Sequence, residues 1–145
     1  MNGIRRKTLA AIGLLWLPLR ALAAGWNKEA FQARNAAEAL KGIGAGASAE
    51  SKDIVIEAPQ IAENGAVVPI EITSNIPNTR SLAVVIEKNP FPLAAQFNFL
   101  EGALPYVKVN VKVGESSFVR VVAEAGGRSY TAAREVKVTI GGCGG

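Results

Sequence analysis

Two periodicities divide the chain. Over residues 27–43 the apolar positions Ala30, Ala33, Ala37 and Leu40 recur at three- and four-residue intervals, the spacing of one face of a helix. Asn27 stands where an N-cap is needed, and Glu29 suits the first turn. The stripe is narrow and mostly alanine, flanked by Trp26 and Phe31. It has too little bulk to form a core alone, so it predicts a helix lying over something larger. Residues 42–48 are mostly small and read as a linker.

From Asp53 onward the period changes to two. Ile54-Val55-Ile56-Glu57-Ala58 is a short strand ended by Pro59. Residues 66–73 alternate, with Val68, Ile70 and Ile72 on one face and Glu71 and Thr73 on the other. Pro69 within this run implies an edge or a bulge. Residues 82–87 are almost continuously apolar, as a central strand requires. Ala95, Phe97 and Phe99 alternate with Gln96 and Asn98. Val107, Val109, Val111 and Val113 alternate with Lys108, Asn110 and Lys112, and strands at 118–124 and 130–140 follow. Turn residues separate them at Asn75-Ile76-Pro77-Asn78, Asn89-Pro90-Phe91-Pro92, Gly114 and Gly126-Gly127. Seven short, regularly spaced strands predict an all-β fold, an immunoglobulin-like antiparallel β-sandwich with an N-terminal helix. The cysteine pair of antibody domains is absent, so the likeness is one of architecture. The helix and linker occupy 24–52 and the sandwich 53–140.

Composition changes the picture at the N-terminus. Lys and Arg total sixteen against twelve Asp and Glu. Arg5, Arg6, Lys7 and Arg20 all precede Ala24, and no acidic residue does. Taking those four away leaves twelve basic residues against twelve acidic ones. The remaining chain is near neutral, with no basic patch interleaved with aromatics, so nucleic acid is not an expected partner. Residues 1–23 read as an export signal: a positive Arg5-Arg6-Lys7, an apolar run over 8–17 too short to span a bilayer, and Ala21-Leu22-Ala23 as the cleavage site. The expected mature chain starts at Ala24, holds no membrane segment and is periplasmic. The paired arginines point to twin-arginine export, with Ile4 and Thr8-Leu9 departing from that pattern. That route carries folded proteins, which suits folding with a partner before export.

The chemical inventory is short. The chain has no histidine, which removes Ser-His-Asp and Cys-His arrangements and most zinc or copper sites. No cofactor or metal is expected. One cysteine cannot form a C-x-x-C pair. Gly126-Gly127 is a hairpin turn, since no G-x-x-x-x-G-K follows. Glu57, Glu71, Glu87 and Glu124 read as solvated partners of Lys and Arg.

The reactive group that remains is Cys143, within Gly141-Gly142-Cys143-Gly144-Gly145. Glycine on both sides leaves the sulfur unshielded and the backbone free. Extended, the segment places Cys143 about 10 Å beyond Ile140. Two readings stand on these residues. One is a thiol on a swinging arm over 141–145, delivered into another protein's active site. The other is an exported structural or binding module that dimerises through a Cys143–Cys143 disulfide. No Lys, Arg or helix N-terminus lies within the tail to lower the thiol pKa. Activation therefore comes from a partner's site, and the chain itself is not expected to be an enzyme.

The terminal Gly141-Gly142-Cys143-Gly144-Gly145, following the valine-rich Val136-Lys137-Val138-Thr139-Ile140, resembles the SoxY family. The stretch Glu87-Lys88-Asn89-Pro90-Phe91-Pro92-Leu93-Ala94 is similar to that family's turn, and the order of leader, helix, linker and β-domain agrees. The resemblance implies a periplasmic sulfur-carrier subunit of a thiosulfate-oxidising system. Cys143 would be the covalent sulfur attachment point, holding S-thiosulfonate and persulfide intermediates. Gly141, Gly142, Gly144 and Gly145 would form the carrier arm. The implied partners are a SoxZ-like β-sandwich subunit in a heterodimer, a c-type cytochrome that couples thiosulfate to the thiol, a sulfate-releasing metal hydrolase and a sulfane dehydrogenase.

Overall fold

A computed structural model of the protein describes residues 27–139. The expected export segment 1–23, Trp26, and the arm residues Gly141, Gly142, Cys143, Gly144 and Gly145 lie outside the described residues.

The helical stretch is two helices, α1 (Lys28–Gln32) and α2 (Ala36–Gly42), where the 3.6-residue period predicted one. Asn27 caps α1 as expected, its Oδ1 accepting from Ala30 N at 3.2 Å. The break comes from a second capping signal. Asn35 Oδ1 accepts from Glu38 N at 2.9 Å, and Glu38 Oε2 accepts from Arg34 N at 3.3 Å. An Asn followed three residues later by Glu starts a helix, so the chain turns at 33–35 and begins again. The buried positions are Ala30, Ala33 and Ala39, while Ala37 is exposed.

The strands are β1 (Ala49–Glu50), β2 (Ile54–Glu57), β3 (Ile61–Ala62), β4 (Val68–Ser74), β5 (Thr79–Ile86), β6 (Leu93–Asn98), β7 (Tyr106–Val111), β8 (Ser117–Ala125) and β9 (Arg128–Val138). One sheet has the order β1-β9-β8-β5-β6, with β3 also on β9. The facing sheet has the order β2-β4-β7. All pairings among the seven predicted strands are antiparallel. The additions are β1 and β3, two residues each and parallel to β9. Two residues carry no period, so these strands are invisible to pattern reading. Residues 49–50, within the expected linker, thereby join the sheet.

The core follows the alternation. Val68, Ile70, Ile72, Leu82, Val84, Ile86, Val119, Val121 and Val136 are fully buried between the sheets. Each such side chain contributes roughly 1.5–3 kcal/mol on burial. The run in β5 is continuous because both of its faces are covered. Leu82, Val84 and Ile86 face the other sheet, while Ala83 and Val85 face the helices, beside Val122 and Leu93. A register shift at Val84/Val85 pairs Val84 with Ala95 and Val85 with Leu93. That bulge puts Leu93 under the helices while Phe97 packs on the inter-sheet core. Pro69 is accommodated because β2 pairs with only 71–74 of β4, leaving that flank open. The β8–β9 hairpin turns at Gly126 (φ 57) and Gly127 (φ 73), the two positive φ angles of a type I′ turn. Among the described residues, no helix is long and apolar enough to cross a membrane.

Candidate functional site

The sequence singles out Cys143, so the described part of the site is the platform from which residue 140 departs. β9 outlasts its partner. The last β8–β9 pair is Ser117 with Val136, two residues short of the end of β9. Past that point β8 offers no strand, and the Ser116 hydroxyl takes its place. Ser116 Oγ accepts from Val138 N at 2.9 Å and lies 3.5 Å from Val138 O. On the opposite edge, Lys137 N donates to Gln60 O at 3.0 Å and Thr139 N to Ala62 O at 3.2 Å. These bonds, made by β3 and the residue before it, carry ordered backbone pairing to Thr139, two positions before Gly141.

The turn at 63–67 closes over the same place. Val113 N donates to Gly65 O at 2.7 Å. A Cβ on Gly65 would stand 2.4 Å from Val113 O and 2.9 Å from Val138 Cγ1, so only glycine fits there.

The turn after β5 lies at this same end of the sandwich, since Ile86 pairs with Val119 near the start of β8. Asn89 Nδ2 donates to Lys112 O at 2.7 Å, and Asn89 Oδ1 accepts from Gly114 N at 2.9 Å. Lys88 N donates to Ser117 Oγ at 3.1 Å, and Glu87 N to Phe118 O at 3.1 Å. The two stretches that the sequence singled out, 87–94 and the end of β9, are therefore joined through 112–117. The same end exposes Ile61 (58%), Val67 (53%), Phe118 (48%) and Phe91 (46%). Arg34, in the break between the helices, sits 4.3 Å over the Phe91 ring.

The carboxylates behave as the sequence predicted where partners are found. Glu87 Oε1 accepts from Arg120 Nε at 2.7 Å, and Arg120 Nη1 reaches Thr131 Oγ1 at 3.4 Å. On the outer face of the three-stranded sheet, Glu71 accepts from Lys108 Nζ and from Tyr106 Oη, the latter at 2.7 Å. Lys108 chiefly, then Tyr106, holds the Glu71 carboxyl below the usual carboxylate range. Glu71 in turn raises Tyr106 and Lys108 above their ordinary values. Grooves of 680 and 490 Å³ open on the outer face of β8 and β9 and beside the 75–79 and 99–105 loops. Neither groove pairs a nucleophile with a base. Among the described residues no group of three or more His, Cys, Asp or Glu could hold a metal ion.

The roles of Ser116, Gly65 and Asn89 were not read from the sequence. Asn89-Pro90 reads as part of a turn, and Asn64-Gly65 carries similar turn chemistry that could have marked it as one. Nothing in the order of residues says that Ser116 and Gly65 meet β9, or that Asn89 reaches 112–114.

A family model described as sulfur oxidation protein SoxY matches residues 40–143, a span that ends on Cys143. No curated protein matches the chain. Among solved structures, the sulfur carrier protein SoxY from Chlorobium limicola f thiosulfatophilum is similar at 35% identity and a TM-score of 0.67. That match covers 79% of this chain and all of the other. A superoxide reductase (neelaredoxin) from Ignicoccus hospitalis is similar at 21% identity and a TM-score of 0.51, over 59% of this chain and 80% of its own, a likeness of fold. With a family match spanning most of its length and ending on its one cysteine, the chain belongs to the SoxY family of sulfur oxidation proteins.

Proposed function

We propose that this chain is a sulfur carrier that holds pathway intermediates covalently on Cys143 and presents them to partner enzymes in the periplasm. The observation that carries the reading is the backbone pairing of β9, on one edge to Val138 and on the other to Thr139, two positions before Gly141-Gly142-Cys143-Gly144-Gly145, whose one side chain larger than hydrogen is the thiol. Membership in the SoxY family and the likeness to a solved sulfur carrier support it.

The chemistry suits a carried thiol. In the first step the Cys143 thiolate and thiosulfate form an S–S bond, giving the S-thiosulfonate and releasing two electrons to a c-type cytochrome partner. Attack of water at the terminal sulfonate sulfur, in a metal-dependent hydrolase, then releases sulfate and leaves a persulfide on Cys143. A sulfane dehydrogenase would oxidise that persulfide further. Attachment through an S–S bond keeps the intermediate from diffusing away, yet leaves it open to thiol exchange. An unperturbed thiol near pKa 8.5 is a modest nucleophile at neutral pH, so the partners' sites supply the activation. The resemblance supplies a SoxZ-like β-sandwich subunit as heterodimer partner, and residues 1–23 supply twin-arginine export.

The test is the intact mass of the exported protein, without reductant, from cells given thiosulfate. Reductant-labile additions of sulfur or of a thiosulfate-sized group at Cys143 are expected. Free thiol together with a Cys143–Cys143 dimer, and no adduct, would instead establish a structural disulfide module. The same spectrum reads whether the mature chain starts at Ala24.

A further inference from the structure

We propose that Ser116 is a positioning residue for sulfur transfer: its hydroxyl holds the backbone of Val138, the last residue of β9 before the carrier segment. The proposal rests on Cys143 being the carrier thiol.

Backbone groups alternate between the two edges of a strand. In β9 the odd residues face the outer edge, as Thr131 O shows by accepting from Ser51 N, and Lys137 N and Thr139 N by donating to Gln60 O and Ala62 O. Val136 and Val138 face β8. Val136 has a partner there in Ser117. Val138 lies past the pairing, and the hydroxyl that accepts from its N–H, close to its C=O as well, is that of Ser116. A hydroxyl carries one donor and two acceptor sites, so one serine can serve both groups of one residue. It replaces a strand where β8 has turned away toward Glu115 and Gly114. Gly65 supports the same residue from beneath, with no room for a Cβ beside Val138 Cγ1.

Without Ser116 the last residues of β9 keep the bonds of the β3 edge and lose those of the other. Removing one of two edges frees the Val138 and Thr139 backbone to sample new directions. Ordering a freed residue again has an entropy cost that a partner enzyme must offset on binding. Such a loss appears in KM for the carrier and not in the chemical step. The lost bonds lie at a half-exposed strand end, where the Val138 side chain rests on the margin of the inter-sheet core and the fully buried residues keep their contacts.

The experiment compares the full exported chain with Ser116→Ala and Ser116→Thr. Thiosulfate is loaded by the cognate thiosulfate-coupling c-type cytochrome, with the carrier as varied substrate. Ser116→Ala is expected to raise KM about fivefold to tenfold with kcat unchanged. Ser116→Thr keeps the hydroxyl and restores the wild-type KM. Alkylation of Cys143 by iodoacetamide, a small reagent with no docking requirement, proceeds at the wild-type rate in both variants. Amide hydrogen exchange at Val138 speeds up in Ser116→Ala. Faster exchange with unchanged KM would overturn the positioning role. Unchanged exchange would overturn the grip itself. Failure of the wild-type chain to be loaded at all would overturn the carrier reading, and this proposal with it.

Discussion

Asn89 and Gly114, 25 residues apart in the chain, are joined by a 2.9 Å hydrogen bond from the Gly114 amide to the Asn89 carboxamide oxygen. The carboxamide nitrogen meanwhile donates to Lys112 O. One side chain thus ties the turn after β5 to the loop that leads into β8. Asn89→Ala removes both bonds and is expected to destabilise the domain by about 1–2 kcal/mol, near the net worth of two ordinary hydrogen bonds. Asn89→Asp keeps the acceptor for Gly114, loses the donor to Lys112, and should fall between the two. Thermal unfolding by circular dichroism reads the order.

Gly65→Ala tests the close approach beneath β9. Its new Cβ would lie 2.4 Å from Val113 O, backbone that cannot rotate aside. A loss of about 1–3 kcal/mol is expected, as for other overpacked sites. Urea denaturation gives the value through a lower midpoint at unchanged slope.

The Glu87–Arg120 pair is about one quarter exposed on each side. A double-mutant cycle through Glu87→Gln and Arg120→Gln should give a coupling of about 1 kcal/mol at most. The coupling should shrink in high salt, as expected of a partly solvated pair. A coupling insensitive to salt would show the pair to be better shielded than its exposure suggests.

Glu71, Tyr106 and Lys108 make a prediction for pH. Glu71 titrates below its ordinary value because of Lys108 and then Tyr106. Its small contribution to stability is present above the unfolded carboxylate pKa and is lost as pH falls through the lower folded value. Tyr106 shifts the other way, raised chiefly by its bond to Glu71. Its contribution is present below the unfolded phenol pKa and is lost as pH rises through the folded one. Phenolate absorbance, taken as a difference against Tyr106→Phe to remove Tyr130, should show Tyr106 ionising above its ordinary value. Glu71→Gln should bring that ionisation back down.

The proposed carrier role of Gly141-Gly142-Cys143-Gly144-Gly145 yields a prediction about partners alone. Replacing Gly142 and Gly144 by Val adds side chains on both sides of Cys143 in the sequence. Unfolding temperature should be unchanged, while turnover with both the proposed coupling cytochrome and the proposed hydrolase slows. Unchanged turnover with both would remove narrow access as the reason for the glycines. Cys143→Ser, by contrast, should abolish the adducts and leave subunit binding intact.

The strands were legible because burial imposes a period of two, and β4 and β7 carry it plainly. The near-continuous run in β5 was legible as a central strand, although the helices that cover its second face could not be foreseen from it. The split at 33–35 was written in Asn35 and Glu38 but masked by an alanine period running across it. β1 and β3 were not legible, since two residues of parallel pairing leave no pattern. In the candidate site, the lone Cys143 among glycines could be read directly. The platform behind it could not, because Ser116, Gly65 and Asn89 act on residues 22 to 73 positions away, and only tertiary placement brings those together.

The arrangement of β9 has a mechanical consequence. Its ladder with β8 runs from Ala125 and Arg128 to Ser117 and Val136, and β1 and β3 bracket its outer edge near either end. Tension that reaches Thr139 along the strand axis loads these hydrogen bonds together, in shear, and does not peel them one at a time. A partner that grips the end of the chain and pulls meets the resistance of the whole sheet.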